Sequence, residues 1–579
     1  MPRNSIDAVR HSLAHLLGAA VLELYPGSKL AIGPSIDDGF YYDIDVRGKI
    51  SDTDLPRIET EMRKILKTWD KFEEIKETAQ SAKKRYVGNA FKLELIEELA
   101  QKKEKITSYQ SGKFIDLCRG GHVEKASDIK PDSFKLSRVA GAYWRGDEKN
   151  PQLTRIYGYA FGTKKELDDY VKILEEAKKR DHKKLGPELD LFTFSDLVGP
   201  GLPLWTPKGT LLRNILDDFV WSLRKQHDYQ QVDIPHITKK ELYEKSGHWD
   251  KFQDELFKIT TREGHLFAMK PMNCPHHTQI YARKPHSYRE LPQRYANTTK
   301  DYRDEQTGEL SGLSRVRAFT QDDAHVFCRM NQVKEEFLKV WDIVHEFYKS
   351  FGFELKVRLS RHDPEHMEKY LGEEKKWQSA EKILNEIIKE KKVRAIDGLG
   401  EAAFYGPKLD FLAKDSIGRE WQVATIQLDM NMPERFDLSC INEKGEKERI
   451  VMIHAAIMGS IERFISIAIE HYAGAFPLWL SPVQVAILPI SENQNKWSES
   501  IAEELRSEGI RVEINFDNET LGKKIRQAEL QKIPYLLIIG EKEVGAKTVS
   551  VRQRSNGDLG QMTIDKLKDR LKSEVISKK

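Results

Sequence analysis

Apolar residues return at helical spacing near the start of the chain: Ile6, Val9, Leu13, Leu16, Leu17 and Ala20. That periodicity predicts an amphipathic helix over residues 5–25. The pattern then shortens. In "KLAIGPSIDDGFYYDID", turn residues separate short β-rich pieces, so an α+β domain begins and runs to about "LTRIYGYAFG". "TKKELDDYVKILEEAKKRDHKKLG" follows, with one narrow apolar stripe of Leu167, Tyr170, Val171 and Leu174 on a charged background. It predicts a linker helix closed by Gly186-Pro187. From Leu189 to about Leu480, strand-like pieces ("QQVDIPHI", "HLFAMK", "RVRAFTQDDAHVF", "EWQVATIQLDM") alternate with helical ones ("LLRNILDDFVWSLRKQH", "VKEEFLKVWDIVHEFYKSFG"). This predicts a large, mostly antiparallel sheet with helices. Beyond "PLWLSPVQVAILPI", the strands "VQVAILPI", "IRVEINF", "YLLIIG" and "KTVSVRQR", with two helices between them, predict a small α/β domain of mixed or parallel sheet. The segments are residues 1–162, a linker helix at 163–187, then 188–480 and 481–579. No internal repeat is visible.

Length and composition narrow the class. A chain of 579 residues is too long for one core and predicts about three to five domains. With 39% hydrophobic and 32% charged residues it has the make-up of a soluble globular protein. A net charge of +3 neither demands nor excludes a polyanionic partner. The four cysteines, Cys118, Cys274, Cys328 and Cys440, form no CxxC pair, which argues for a reducing compartment. The first 21 residues contain no signal-peptide core, and apolar runs such as "IPYLLIIG" are too short for a membrane span. A cytoplasmic enzyme or nucleic-acid-binding protein is expected.

Four stretches carry chemistry. In "YRDEQTGELSGLSRVRAFTQDDAHVF", residues 302–327, Arg303 and Glu305 are placed on one face of a strand, and Arg315 and Phe319 on a second strand after a Gly-containing loop. Such a hairpin offers cations for phosphate, a carboxylate for an amino group and a ring for stacking, which is nucleotide chemistry. A surface hairpin with cross-strand ion pairs fits the spacing equally. "IHAAIMGSIERFISIAIE" puts Gly459 and Arg463 where a strand meets an apolar helix, and an arginine there calls for a partner or a ligand. "KPMNCPHH" leaves Cys274 open as nucleophile, metal ligand or core residue, although no motif supplies the base a nucleophile needs. "HSLAH" puts His11 and His15 on one helix face, and "CRGGH" adds Cys118 and His122 at similar spacing. That is a zinc-ligand pattern, and also one that a histidine pair stacked on a core would show.

The helix ending in "HDYQQVDIP", the pair "YRDE…RVRAF" and "GSIERF", in this order, resemble the three signature motifs of class II aminoacyl-tRNA synthetases. "GHWDKFQDELF", "KPMNCP", "RVRAFTQDDAHVFC", "FYGPKLD", "WQVATIQLD" and "IHAAIMGSIERF" narrow the resemblance to the threonyl-tRNA synthetase family of bacterial type, from residue 5 to about 570. It implies an α+β fold: a class II antiparallel-sheet catalytic domain, an N-terminal α+β editing domain and a C-terminal α/β anticodon-binding domain. The implied activity is ATP-dependent charging of tRNA(Thr) with L-threonine and hydrolysis of seryl-tRNA(Thr). One Zn2+ per subunit is implied on Cys274, His325 and His454, Mg2+ with ATP, and a homodimer with no membrane partner. By the same resemblance Arg303 clamps the α-phosphate and the threonine carboxylate, Glu305 accepts from the adenine amino group, Phe319 stacks on the ring, and Arg463 holds the adenine and γ-phosphate side. Arg315, Gln321, Asp323, Tyr405, Gln422, Thr425, Gln427 and Ser460 line the substrate pocket, with Asp323 suited to the ammonium group. His248 and Lys408 are candidates for assisting transfer to tRNA. Relatives have Gly-His after "CP" where this chain has His276-His277; His276 is read as a bystander.

The resemblance makes His11, His15, Tyr42, Lys92, Tyr109, Asp116, Cys118 and His122 an editing site without metal. Serine lacks only threonine's methyl group, and a missing methyl yields about 1–3 kcal/mol of discrimination, so a second, hydrolytic site is required. Asn518, Arg526, Glu543 and Arg552 are implied readers of the anticodon, whose unpaired bases suit hydrogen bonds and stacking. Relatives often carry a further small domain ahead of the editing domain, and the chain is expected to lack it.

Overall fold

The structure is a computed structural model and describes residues 5–578. It divides into two compact units, Met1–Glu176 and Ala177–Lys579.

In the first unit α1 (Ile6–Leu24) starts at Ser5, whose hydroxyl accepts the Ala8 N–H at 3.3 Å. The expected helix is present, but it is buried on nearly every side from Ala8 to Val21 instead of along one stripe. The reason is its position between a helix, Leu55–Leu66, and a five-stranded sheet. That sheet is antiparallel and contains β1 (Gly39–Asp45). A smaller sheet includes β2 (Ile106–Ser111) and β3 (Phe114–Leu117) beside α2 (Ala90–Gln101). The larger sheet is completed by β4 (Phe134–Tyr143) and β5 (Gln152–Ala160).

The linker helix α3 spans Lys164–Arg180. Gly186-Pro187 does not close it; both residues lie inside a separate short helix, α4 (His182–Glu188), capped by Asp181. Gly186 serves packing, since a Cβ there would lie 2.1 Å from the Phe192 ring.

The second unit holds an eight-stranded sheet with α5 (Pro207–Lys225), α7 (Val333–Lys349) and α8 (Ile461–Tyr472) on one face and α6 (Cys274–Ala282) on the other. Its main strands are β6 (Gln293–Tyr302), β7 (Ala318–Cys328), β8 (Leu355–Arg361), β9 (Ala395–Leu399), β10 (Lys408–Lys414), β11 (Glu420–Asp429) and β12 (Val451–Ser460). Their order is Gln230–Gln231, β6, β7, β12, β11, β10, β8, β9, antiparallel except at both outer pairs. The predicted strand "QQVDIPHI" shrinks to Gln230–Gln231 and the separate Ile237–Lys239, because Pro235 has no N–H for a ladder.

Alternation along these strands sorts the residues. Ala324, Val326, Ile453, Ala455, Ile426, Leu409 and Leu359 face a buried core shared with Leu216 of α5, Val340 and Phe347 of α7 and Ile465 of α8. Each such buried side chain contributes about 1.5–3 kcal/mol, so the apolar face dictates the register. The opposite face carries the polar residues, with Tyr295, Phe327 and Met452 at one end packed against Tyr281 of α6.

The last sheet joins β13 (Val485–Pro489), β14 (Val512–Ile514), β15 (Tyr535–Ile539), β16 (Thr548–Gln553) and β17 (Gly557–Thr563), in the order β14, β13, β15, β16, β17. Pairs of β13 are parallel and the rest antiparallel, the mixed sheet expected. Helix α9 (Leu521–Leu530) carries Arg526. Among the described residues no helix is long and apolar enough to cross a membrane.

Candidate functional site

Cross-strand register builds the site. One row of paired residues runs Tyr295, His325, His454, Gln427, Lys408, Ser360 across six strands. Two residues along, a second row runs Asn297, Asp323, Ala456, Thr425, Asp410, Arg358. Residues two apart share a face, so both rows lie on the polar side of the sheet. Most of the residues singled out between 321 and 460 are thus assembled, although their strands lie far apart in sequence.

The donor atoms of Cys274, His325 and His454 lie within 4.8 Å of one another, and all three side chains are buried. His325 Nε2 and His454 Nδ1 approach to 3.1 Å. Their other nitrogens are held from behind: His454 Nε2 is 3.0 Å from Asp429 Oδ2, and His325 Nδ1 is 2.8 Å from His277 Nδ1. An outer partner that takes the ring N–H leaves the inner nitrogen as a lone pair, the arrangement of metal-ligating histidines. Burial pushes the Cys274 thiol well up and the His325 imidazole well down, and the carboxylates of Asp323, Asp429 and Asp301 add to the cysteine's shift. A divalent cation suits this donor set and the negative charge around it. His276 is not part of the set; its ring nitrogens are buried without hydrogen-bond partners, and its ring lies edge-on to Tyr243.

Beside these donors, Tyr405 stacks on His454 with centroids 4.8 Å apart and donates to Gln427. His248 is fully buried, with Nε2 3.6 Å from Cys274 Sγ and a pKa lowered to about 3 by burial. It sits among Phe252, Phe404 and Tyr405, next to Cys274 and not in the open cavity. Asp323 is oriented by Asn273 Nδ2 at 3.1 Å, which also reaches Asp301 Oδ2 at 3.2 Å. Lys270, wholly buried, bonds Asn273, Thr299 and Asp301. Sequence reasoning missed Lys270, Asn273 and Asp301 as a unit; the string "KPMN" carried the first two.

An adjoining cavity of about 550 Å³ is lined by Arg303, Glu305, Arg315, Phe319, Gln321, Gln422, Thr425, Ser460 and Arg463. Arg303 and Glu305 do not lie on a strand as expected: β6 ends at Tyr302, and Arg315 precedes β7. The loop turns because the Arg303 N–H bonds the Arg317 carbonyl and the Asp304 N–H bonds that of Glu255. The Arg303 guanidinium stands 5.2 Å over the Phe319 ring, and its buried Nε has no hydrogen-bond partner. Among the described residues the Arg463 guanidinium has no hydrogen bond or ion pair either, while Ser460 caps its helix. Glu305 accepts from Arg315 Nε at 2.8 Å and Nη2 at 2.6 Å. Lys408 pairs with Asp410 at 3.0 Å, and Asp410 also holds Arg358, Ser360 and Gln422.

In the first unit a second cavity, about 490 Å³, is lined by His11, His15, Lys92, Asp116 and Cys118. Cys118 Sγ lies 3.3 Å from His11 Nε2 and 3.4 Å from His122 Nε2; His122 Nδ1 meets Ser12 Oγ at 3.2 Å. Asp116 takes Lys92 Nζ at 2.6 Å and the Tyr42 hydroxyl, with His15 Nε2 4.0 Å away. Tyr109 packs on His122. Gly120 is required here: its φ is +94°, and a Cβ would lie 2.5 Å from the Tyr109 hydroxyl. Burial lowers the pKa of His11 and, more strongly, of His15 and His122, and pushes the Cys118 thiol up to about 12.

In the last domain Asn518 and Arg526 are exposed and Arg552 is half-buried. Glu543 differs: its carboxylate accepts from Gly540 N, Ser550 Oγ and Gln561 Nε2, each at 2.9 Å, and so braces its own domain.

Residues 106–157 match the threonyl and alanyl tRNA synthetase second additional domain, residues 257–472 the tRNA synthetase class II core domain (G, H, P, S and T), and residues 484–574 an anticodon binding domain. A threonine–tRNA ligase of Porphyromonas gingivalis is 51% identical over 573 residues, covering 98% of this chain and 87% of the relative. One from Cytophaga hutchinsonii is 49% identical over 571 residues, with 98% and 88% covered. A solved structure described as the RNA binding domain of threonyl-tRNA synthetase from Cryptosporidium parvum aligns with a TM-score of 0.65 at 36% identity, over 68% of this chain and 98% of that one. Identity near one half along almost the whole chain, with the three domains in this order, means that the chain belongs to the threonine–tRNA ligase family.

Proposed function

We propose that the two cavities divide the work of this threonine–tRNA ligase, the larger one activating threonine and the one in the first unit hydrolysing seryl-tRNA(Thr). The observation that carries the reading is the pair of guanidinium groups, Arg303 and Arg463, both without hydrogen-bond partners and both lining a cavity that also holds the Phe319 ring. Guanidinium forks match phosphate oxygens, and the ring offers a stacking face for a base. Arg303 and Arg315 then face the phosphates, with Mg2+ accompanying them, while Glu305 receives the adenine amino group and Arg463 holds the adenine and γ-phosphate side. Gln422, Thr425 and Ser460 border the ribose and threonine.

Cys274, His325 and His454 are the residues that would hold zinc. Three protein ligands leave coordination open, and when bound the ion supplies a position for threonine's amino and hydroxyl groups that the side chain of valine cannot satisfy. Asp323, held by Asn273, is aimed to receive the ammonium group, and Gln321, Tyr405 and Gln427 close the pocket. The threonine carboxylate attacks the α-phosphorus; the bond to the bridging oxygen breaks and pyrophosphate leaves. A terminal ribose hydroxyl of tRNA(Thr) then attacks the activated carbonyl and AMP leaves. Lys408, beside Asp410, assists that transfer; His248, expected to share the role, is wholly buried against Cys274 outside the cavity and supports that side chain instead. Positioning and charge stabilisation account for most of the rate.

For the editing site the metal-free reading is favoured. The buried Lys92 ammonium lies beside the cluster and neutralises Asp116, so no uncompensated carboxylate charge is left to attract a divalent cation there. A homodimer, a cytoplasmic location and anticodon contact through Asn518, Arg526 and Arg552 complete the proposal.

The test is ATP–pyrophosphate exchange against single amino acids, with metal analysis of the same sample. Exchange with threonine, weaker exchange with serine, none with valine, and about one zinc per chain are expected. Exchange without zinc, or a preference for valine, overturns the assignment of Cys274, His325 and His454.

A further inference from the structure

A histidine outside both cavities touches the nucleotide loop. His182 opens α4, and its ring is buried. Nδ1 lies 2.6 Å from Glu470 Oε1 on α8, and the His182 backbone N–H reaches the same oxygen at 3.2 Å. Arg419 fixes the other Glu470 oxygen at 2.5 Å. With Nδ1 donating to a carboxylate, Nε2 is left as an acceptor, and it receives the Leu313 backbone N–H at 3.1 Å. Asp181, His182 and Glu470 together have the residue types of a metal site, but both ring nitrogens are already engaged.

The approach is close enough to constrain the loop's sequence. Gly312 has φ +51°, and a Cβ there would lie 2.3 Å from His182 Nε2. Leu313 is fully buried, and the next three residues, Ser314, Arg315 and Val316, line the nucleotide cavity. A Ser314–Ser466 hydroxyl contact of 3.1 Å is the loop's other tie to α8. We propose that His182 is a positioning residue for adenylate formation, holding the loop of residues 311–316 in place through the Leu313 amide. This rests on the reading of that cavity as the ATP site. The ring is buried and held at both nitrogens, so its role is orientation and not proton transfer.

The experiment compares His182→Asn, His182→Gln and His182→Ala in the full chain. Asparagine keeps a donor toward Glu470 and loses the acceptor for Leu313; glutamine can carry an acceptor to the Nε2 position. In pyrophosphate exchange, His182→Asn should raise the KM for ATP roughly tenfold, as for a lost buried hydrogen bond, with the threonine KM within about twofold. His182→Gln should recover most of the ATP affinity. Amide deuterium exchange should quicken in residues 303–317 of His182→Asn and stay unchanged in β11 and β12. An unchanged ATP KM, a parallel rise in both KM values, or unchanged exchange in that loop overturns the proposal. His182→Ala serves only if it folds; the Asn–Gln pair decides. Phe319→Ala separates the two readings: if it leaves the ATP KM unaltered, the ATP-site reading itself fails, whereas the deuterium exchange reads the His182 tie independently.

Discussion

Two clusters of cysteine and histidine lie among the described residues, and they differ in the charge that surrounds them and in what stands behind their histidines. Around Cys274, His325 and His454, the outer ring nitrogens are tied to Asp429 and His277, and the inner ones meet at 3.1 Å beside the Cys274 thiol, with the Asp323, Asp429 and Asp301 carboxylates nearby. Around Cys118, His11, His15 and His122, the polar atoms meet one another, and a buried ammonium, Lys92, stands beside them. Residue types alone make the second cluster the better metal site, since it offers four ligand atoms against three. Orientation and charge reverse that ranking. What makes a histidine a ligand is the partner behind it and the sign of the neighbouring charge.

The largest effect that tests this contrast is metal loss. Cys274→Ser or His454→Ala should bring zinc from about one per chain to near none and lower threonine-dependent exchange roughly a hundredfold or more. Cys118→Ser should leave the zinc count unchanged; if it removes metal, the contrast is broken. Next, Lys92→Ala should slow hydrolysis of seryl-tRNA(Thr) about a hundredfold while threonine activation is kept. Equal loss of both activities would show that the first unit does not act separately.

A smaller effect follows from pH. Burial holds the folded His15 and His122 well below the ordinary imidazole value of 6.5, so the unfolded chain binds protons that the folded one refuses. The stability of the first unit is therefore intact above pH 6.5 and is lost as pH falls toward 5. Its melting temperature, followed through Trp69 and Trp144, should drop over that window, and His122→Gln should flatten the slope; a flat profile in the parent chain contradicts the buried neutral histidines. The smallest effect belongs to His276. Its replacement by alanine should leave zinc content and the threonine KM within about twofold, because its nitrogens bond nothing. A marked loss of zinc would make it a ligand.

Much of the architecture was legible in the chain. The helices at 207–225 and 333–349, the long strands and the mixed C-terminal sheet follow from periodicity and turn residues. Boundaries were less so. Arg303, Glu305 and Arg315 read as strand residues because β-rich neighbours flank them, yet the loop's hydrogen bonds to Arg317 and Glu255 carry them off the sheet. Gly186-Pro187 reads as a helix stop, and close packing against Phe192 decided otherwise. The helix Ile564–Ser577 and the strand before it had no place in the reading. The site was legible only through resemblance: no local pattern links Cys274 to His454, 180 positions further on, and Asp301, His277 and Asp429 join it solely through cross-strand pairing and side-chain contact.

The polar face of the large sheet has the properties of a grid, each position addressed by strand and by register. On such a grid, amino-acid preference can evolve by point substitution at one address, with the apolar reverse side untouched. Insertions and deletions are a different matter. Removing one residue ahead of His454 in β12 would bring Ala455 to the row of His325 and drive His454 into the hydrocarbon layer behind it. Lineages of this enzyme should therefore vary in length at the loops and hardly at all within β7, β11 and β12.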